Sequence, residues 1–262
     1  MTAAAGTGTA ASGVLSAWRR SPPLVWASIY FFCLLSGYYV LRPVREAMAA
    51  SSDLQTVFPL PLIEWFAGHG IALQDFVLQF LFTCVFFIML VLQPLYGVLV
   101  SRFPRRVFLP AVYGFFIVTL LGFYVMFQAG LPGRGMAFFF WITVFNLFAV
   151  AVFWSFMADV FSNVEARAYY GYLGAAGTIG AFLGPIITST LVQRVGIANL
   201  MLVSAGFLLI CLGCIWRLRL WAVEREQERQ LVSGETPMGG SVFDGLKLIV
   251  REPMLRWLAL MV

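Results

Sequence analysis

Six apolar runs divide this chain, at about 24–49, 74–100, 107–128, 136–161, 168–193 and 198–221. A helix rises about 1.5 Å per residue, so about 20 residues cross the roughly 30 Å hydrocarbon layer of a bilayer. Each run is long enough to span. None alternates in the two-residue period of a transmembrane strand, and lipid leaves only helices and closed barrels as spanning structures. Charged residues are 11% and hydrophobic residues 61%, where a soluble domain carries roughly a quarter charged. The expected fold is therefore an all-α membrane protein: a six-transmembrane-helix bundle, with the start of a seventh span near Met254.

The domain reading follows from the gaps. Residues 1–21 open with Met1 to Gly13, rich in Ala, Gly, Thr and Ser, and are expected to be a disordered tail. Residues 22–221 form the bundle. Residues 222–253 read as a linker, with polar Glu224–Arg229, flexible Ser233–Gly240 and an amphipathic helix from Ser241. Residues 254–262 begin a truncated seventh span. Arg19 and Arg20 precede an apolar run too long for a signal peptide. Between the first two spans, Phe58–Phe66 is too short and proline-rich to cross, and reads as an interfacial or short helical segment.

Arginine placement sets the expected orientation. Arg19, Arg20, Arg102, Arg105, Arg106, Arg167, Arg217, Arg219, Arg225, Arg229, Lys247, Arg251 and Arg256 fall on one side, against Arg134 and Arg194 on the other. That bias puts the N-terminus in the cytoplasm. The net charge of +5 is thus a topology signal facing the lipid bilayer, and no nucleic-acid partner is implied.

Nothing in the chain points to an enzyme. It has no nucleophile elbow, phosphate loop, zinc spacing or catalytic dyad, and no metal or other cofactor is expected. Cys33, Cys84, Cys211 and Cys214 all lie inside apolar runs. Cys211-Leu-Gly-Cys214 has the C-x-x-C spacing but no partner pair. His69 sits in a loop without a metal partner. Gln79, Gln93, Asn146 and Ser155 suit helix–helix hydrogen bonds, and Asn146, mid-way along the fourth span, is the best further candidate for a ligand contact.

The costly feature is Ser36-Gly-Tyr-Tyr-Val-Leu-Arg-Pro-Val-Arg-Glu46, at the far end of the first span. Helical spacing puts Tyr38, Arg42 and Arg45 on one face, and Glu46 lies four residues after Arg42. Pro43 removes a helix hydrogen bond from the Tyr39 carbonyl. Arginine is expensive in a membrane, and its planar fork suits phosphate or carboxylate. Two roles stay open. The face lines a cavity and meets an anion, or the arginines snorkel to the far interface, since Arg42 lies about 27 Å along the helix from Leu24.

Gly97-Val-Leu-Val-Ser-Arg-Phe-Pro-Arg-Arg106 resembles the Gly-x-x-x-Asp-Arg-x-Gly-Arg-Arg loop of the major facilitator superfamily, with Ser101 in place of Asp and Pro104 in place of the second Gly. Asp159, with Arg102 or Arg106, is the candidate cytoplasmic gate; the alternative is that these arginines serve topology and anionic lipid alone. The fifth span carries Gly171, Gly174, Gly177, Gly180 and Gly184-Pro185, resembling the Gly-Pro signature of major facilitator antiporters, although close helix packing explains the strip equally well. Gly37-Tyr-Tyr-Val-Leu-Arg-Pro-Val-Arg-Glu46 and Phe153-Trp-Ser-Phe-Met-Ala-Asp-Val-Phe-Ser162, with the glycine strip, are similar to bacterial relatives of the ATP/ADP translocases. That resemblance implies a nucleotide exchange transporter in a bacterial inner membrane, with Arg42 or Arg45 as the first-span basic residue that handles substrate.

The expected protein is one half of a two-bundle transporter working by alternating access, with a C-terminal six-helix half as its missing partner. Its cargo is an organic anion such as a nucleotide or phosphorylated metabolite. Arg42, Arg45, Glu46, Tyr38 and Asn146 are the binding or gating candidates. One alternative is a proton-coupled exporter of apolar or cationic compounds, with Glu46 as the coupling acid. The other is a non-transporting membrane scaffold.

Overall fold

The structure is a computed structural model that describes residues 22–102 and 105–233. Its elements are α1 (Pro22–Ala49), α2 (Leu54–Val57), α3 (Leu60–Gly68), a 3-10 turn (Leu73–Phe76), α4 (Val77–Arg102), α5 (Arg105–Gln128), α6 (Arg134–Val160) and α7 (Asn163–Ser233). Among the described residues there is no strand. α7 is two helices in series. Gly196 breaks it with φ 80° and ψ 166°, a conformation open essentially only to glycine. The two arms, 163–195 and 197–233, are the expected fifth and sixth spans. The second arm stays helical to Ser233, taking in the polar Glu224–Arg229 stretch. The N-terminal tail, the rest of the linker and the seventh span lie outside the described residues.

Contacts along α1 give the direction of its neighbours. Against α6, Phe31 stacks on Phe153 (4.3 Å), Tyr38 approaches Phe145 (6.4 Å), and the Arg45 guanidinium lies 5.1 Å from the Phe139 ring centre. α1 and α6 are therefore antiparallel. Against the first arm of α7, Gly177 meets Phe31, Gly180 meets Phe32 and Ser36, and Gly184 meets Tyr39, so these two run parallel. Against the second arm, Ser204 Oγ donates to the Gly37 carbonyl (2.9 Å) and Cys211 Sγ to the Tyr30 carbonyl (3.5 Å), an antiparallel pair. Likewise Phe116 packs on Phe145 and Phe123 on Phe138 between antiparallel α5 and α6. The spans alternate up and down with α1 at their centre. Its start, the end of α4 and the start of α5 share one face. Its end, α2, α3 and Gly196 share the other, distal face.

Burial explains why α1 is the hub. Leu24, Ala27, Tyr30, Leu34, Val40 and Leu41 are fully enclosed. The Tyr30 hydroxyl drawn in with them is paired across helices, whereas the Ser28 and Ser36 hydroxyls on the same helix are buried without a hydrogen-bond partner among the described residues. Tyr30 donates to the Tyr113 hydroxyl at 2.6 Å, and Tyr113 donates to the Ala149 carbonyl at 3.3 Å. One chain of hydrogen bonds thus joins α1, α5 and α6. Tyr113→Phe leaves the Tyr30 proton without its acceptor, at a cost of about 1–3 kcal/mol. Melting of the detergent-solubilised protein is expected to fall by about 2–10 °C. Tyr30→Phe should cost less, because Tyr113 keeps Ala149, and the double variant should recover part of the Tyr113→Phe loss. A double variant no more stable than Tyr113→Phe would show the hydroxyls to be uncoupled.

On the distal face the loops are clasped together. Asp53 caps α2, accepting from the Gln55 amide (3.1 Å) and the Thr56 hydroxyl (2.6 Å). That hydroxyl holds the Asp53 carboxyl below its usual value. Arg134 donates to Thr56 Oγ1 (2.9 Å) and to the Leu131 carbonyl (3.0 Å), while the Gly133 amide donates to the Gln55 carbonyl (2.9 Å). Arg134, one of the two distal bases read from the sequence, is therefore a structural tie between the α1–α4 connection and the start of α6.

Candidate functional site

The distal third of α1 stays helical through Pro43 because a neighbour supports it. Proline cannot donate to the Tyr39 carbonyl four residues back. One residue on, the Val40 carbonyl accepts the Thr188 hydroxyl at 2.7 Å, and Thr188 also reaches the Gly184 carbonyl at 3.2 Å. Gly184 allows this approach: a Cβ there would lie 2.8 Å from the Tyr39 carbonyl carbon. Irregular backbone at membrane depth is tolerated where protein covers it, and the first arm of α7 is that cover.

The site residues stand on this supported segment. Tyr38 is buried, edge-on to Tyr39 at 5.0 Å. The Arg42 guanidinium lies 5.6 Å from the Tyr39 ring centre, and that of Arg45 covers Phe139 on α6. Glu46 receives a close hydrogen bond from Arg45, while Arg42 Nε stands at 4.0 Å, the limit of an ion pair. Glu46, four residues after Arg42, has the adjacent Arg45 as its nearer partner. The environments of the two arginines differ sharply. The Arg42 side chain is 49% exposed and that of Arg45 only 12%. Arg45 Nε is buried and has no hydrogen-bond partner. Arg45 is thus packed between a ring and a carboxylate, whereas Arg42 is held on one side only.

Asn146 is seven residues from both Phe139 and Phe153, so it lies on the stripe of α6 that meets α1, at the level of Tyr38. It is half-buried. The face therefore offers a cation at its distal end and an amide deeper in, with Tyr38 and Phe145 between. This arrangement can bind and orient a charged solute. It contains no nucleophile–base pair.

The sequence model of the Major Facilitator Superfamily matches residues 47–262. The chain belongs to the major facilitator superfamily. It is thus an integral membrane protein of a secondary-transporter family. The match starts one residue after Glu46, so Arg42, Arg45 and Glu46 stand just ahead of the matched segment. No curated protein and no solved structure matches the chain.

Elsewhere in this major facilitator protein the candidates are more scattered. Asp159 is half-buried in the last turn of α6. Arg102 ends α4 and Arg106 is the second residue of α5, but their side chains lie outside what the structure describes. Asp75 and Gln74 line a distal groove of about 490 Å³ between the end of α1 and the start of α4, with Ala49, Ser51 and Leu78. His69 Nδ1 lies 2.7 Å from the Trp65 carbonyl and its ring packs on the Trp65 indole. Among the described residues no cluster of His, Cys, Asp or Glu could hold a metal.

Two residues escaped the sequence reading. Phe139 belongs to a run, Phe138–Trp141, that sequence alone assigns to packing, yet it forms the floor beneath Arg45. Thr188 carries no motif. Its spacing of four from Gly184 becomes meaningful only once α1 is laid against it.

Proposed function

We propose that this major facilitator protein carries an organic anion, such as a nucleotide or phosphorylated metabolite, by alternating access. The observation that supports this reading is the asymmetry of the two arginines. Arg42 is half-exposed above Tyr39 and loosely held, so a phosphate or carboxylate can meet its fork without first breaking a tight pair. Arg45 and Glu46 form the fixed base of the site. Tyr38 and Asn146 extend it inward, where a base or sugar could stack and hydrogen-bond.

In this reading the N-terminus is cytoplasmic, as the arginine bias favours, and the site faces the extracytoplasmic half of the membrane. A second six-helix half supplies the opposite wall of the cavity. Asp159 with Arg102 or Arg106 closes the cytoplasmic side. The nucleotide class rests on the motifs read from the sequence alone, for which no curated protein supplies a match; the anion class rests also on the charge and exposure of Arg42.

Reconstituted protein, assayed for uptake of radiolabelled nucleotides and sugar phosphates into proteoliposomes, tests the proposal. Saturable uptake that Arg42→Ala reduces is expected. Uptake left unchanged by both Arg42→Ala and Arg45→Ala would sink the anion site. Loss of proton dependence in Glu46→Gln would instead make Glu46 the coupling acid.

A further inference from the structure

The α1–α4 connection is unusual in what it shows to its surroundings. α3 turns Leu62, Ile63 and Phe66 onto the distal end of the bundle, where Phe66 packs against Phe76 (5.9 Å) and Phe80 (5.6 Å). None of its residues is fully buried. Its outer side carries Leu60 and Trp65, followed by Ile71, all exposed, with Trp65 at 55%. Between Asp53 and Asp75 the only formally charged residue is Glu64, and no Lys or Arg occurs. So apolar a segment is poorly suited to open water.

We propose that α3 lies in the bilayer interface on the distal face, with the Trp65 flank seated among lipid carbonyls and glycerols. Three observations carry this. First, the connection is held at the level where spans end: Gly133 bonds Gln55 and Arg134 bonds Thr56 ahead of α3, and Phe66 of α3 packs on Phe76 and Phe80 at the start of α4. Second, the exposed apolar surface is continuous with the spans, for Leu78 and Phe82 on α4, also exposed, follow directly below Phe76. Third, the flank holds an indole, whose apolar body and single N–H suit the boundary between chains and headgroups. Glu64, exposed beside it, provides the wet side. With a carboxylate and no base, the helix gains nothing from anionic headgroups. Its partner is the interface itself.

The seat also sets the depth of the α1 site. Ala49 ends α1 just before the pinned connection, so Arg45 and Arg42 lie about 6 and 10 Å further in along the helix. Arg42 therefore stands in the distal half of the bilayer, short of the midplane of the roughly 30 Å hydrocarbon layer.

Spin labels at Trp65→Cys and Glu64→Cys, in protein whose four native cysteines are replaced, test this after reconstitution in phosphatidylcholine vesicles. Collisions with oxygen, which concentrates among acyl chains, are expected to dominate at 65, and those with a water-soluble nickel chelate at 64. Adding phosphatidylglycerol should change neither ratio. Chelate dominance at both positions would overturn the proposal, and so would protection of position 65 from both reagents, which would mean a protein cover. Trp65→Phe gives a second reading without labels. Quenching of intrinsic fluorescence by lipids brominated near the headgroup should fall relative to the unsubstituted protein; unchanged quenching would also overturn the seat.

Discussion

Gly184→Leu is expected to lower the melting temperature of the solubilised protein by about 5–10 °C and to reduce the amount recovered folded. The first arm of α7 approaches α1 so closely that a Cβ at Gly184 would lie 2.8 Å from the Tyr39 carbonyl carbon and 3.0 Å from the Val40 nitrogen. Both are backbone atoms, which no rotamer change can move. Overpacking of this kind costs about 1–3 kcal/mol or more. The helices must also separate at the turn where Thr188 supports the backbone ahead of Pro43. Gly180→Val should behave alike, because its new side chain would run into the Phe32 carbonyl. Gly174 is the internal control. Nothing lies within 4 Å of a Cβ there, so Gly174→Ala should be neutral or slightly stabilising through helix propensity. Equal losses at positions 174 and 184 would mean that the glycines serve helix flexibility and not close approach.

Arg42→Ala is expected to cut anion uptake by about 10- to 100-fold while leaving the melting temperature within about 2 °C of the unsubstituted protein. A charge-assisted hydrogen bond to cargo contributes about 1.5–3 kcal/mol, which converts to that range. Arg42 itself is half in the open and at the limit of its ion pair, so the fold loses little with it. Arg42→Lys should recover part of the uptake, because a point charge remains but the bidentate fork does not. Arg45→Ala should show the opposite weighting. Its side chain is nearly enclosed, covers Phe139 and bonds Glu46, so its removal uncovers a ring and loosens the carboxylate. The melting temperature should drop by several degrees, and uptake should fall along with the folded fraction. If Arg42→Ala destabilises as much as Arg45→Ala without a selective loss of uptake, the division of labour is wrong and both residues are structural.

Some of this was legible before any coordinates. The six spans needed only run length and polarity, since lipid tolerates little else than helices of that length. Their bounds moved by a few residues, and only the polar tail of the last helix ran on past the apolar part. Tyr38, Arg42 and Arg45 were placed on one face by helical spacing alone, and the glycine strip announced a close approach. Its target was not announced. Gly177, Gly180 and Gly184 meet α1, whereas Gly171 and Gly174, in the same strip, meet nothing within 4 Å. Likewise Glu46 had two cations within helical reach, and spacing favoured the one that turned out to be the more distant.

What the sequence determined by itself was everything governed by the solvent: a chain this apolar must span as helices, and its charges must gather where spans end. The family followed from the same one-dimensional information. Which of two arginines, three residues apart on one helix, is buried and which is open depended on the helices packed beside it. Phe139 arrives from α6 against Arg45, whereas the ring beside Arg42 is Tyr39 of its own helix. Such pairings join residues far apart in the chain, so no local pattern encodes them, and only the tertiary structure could decide them.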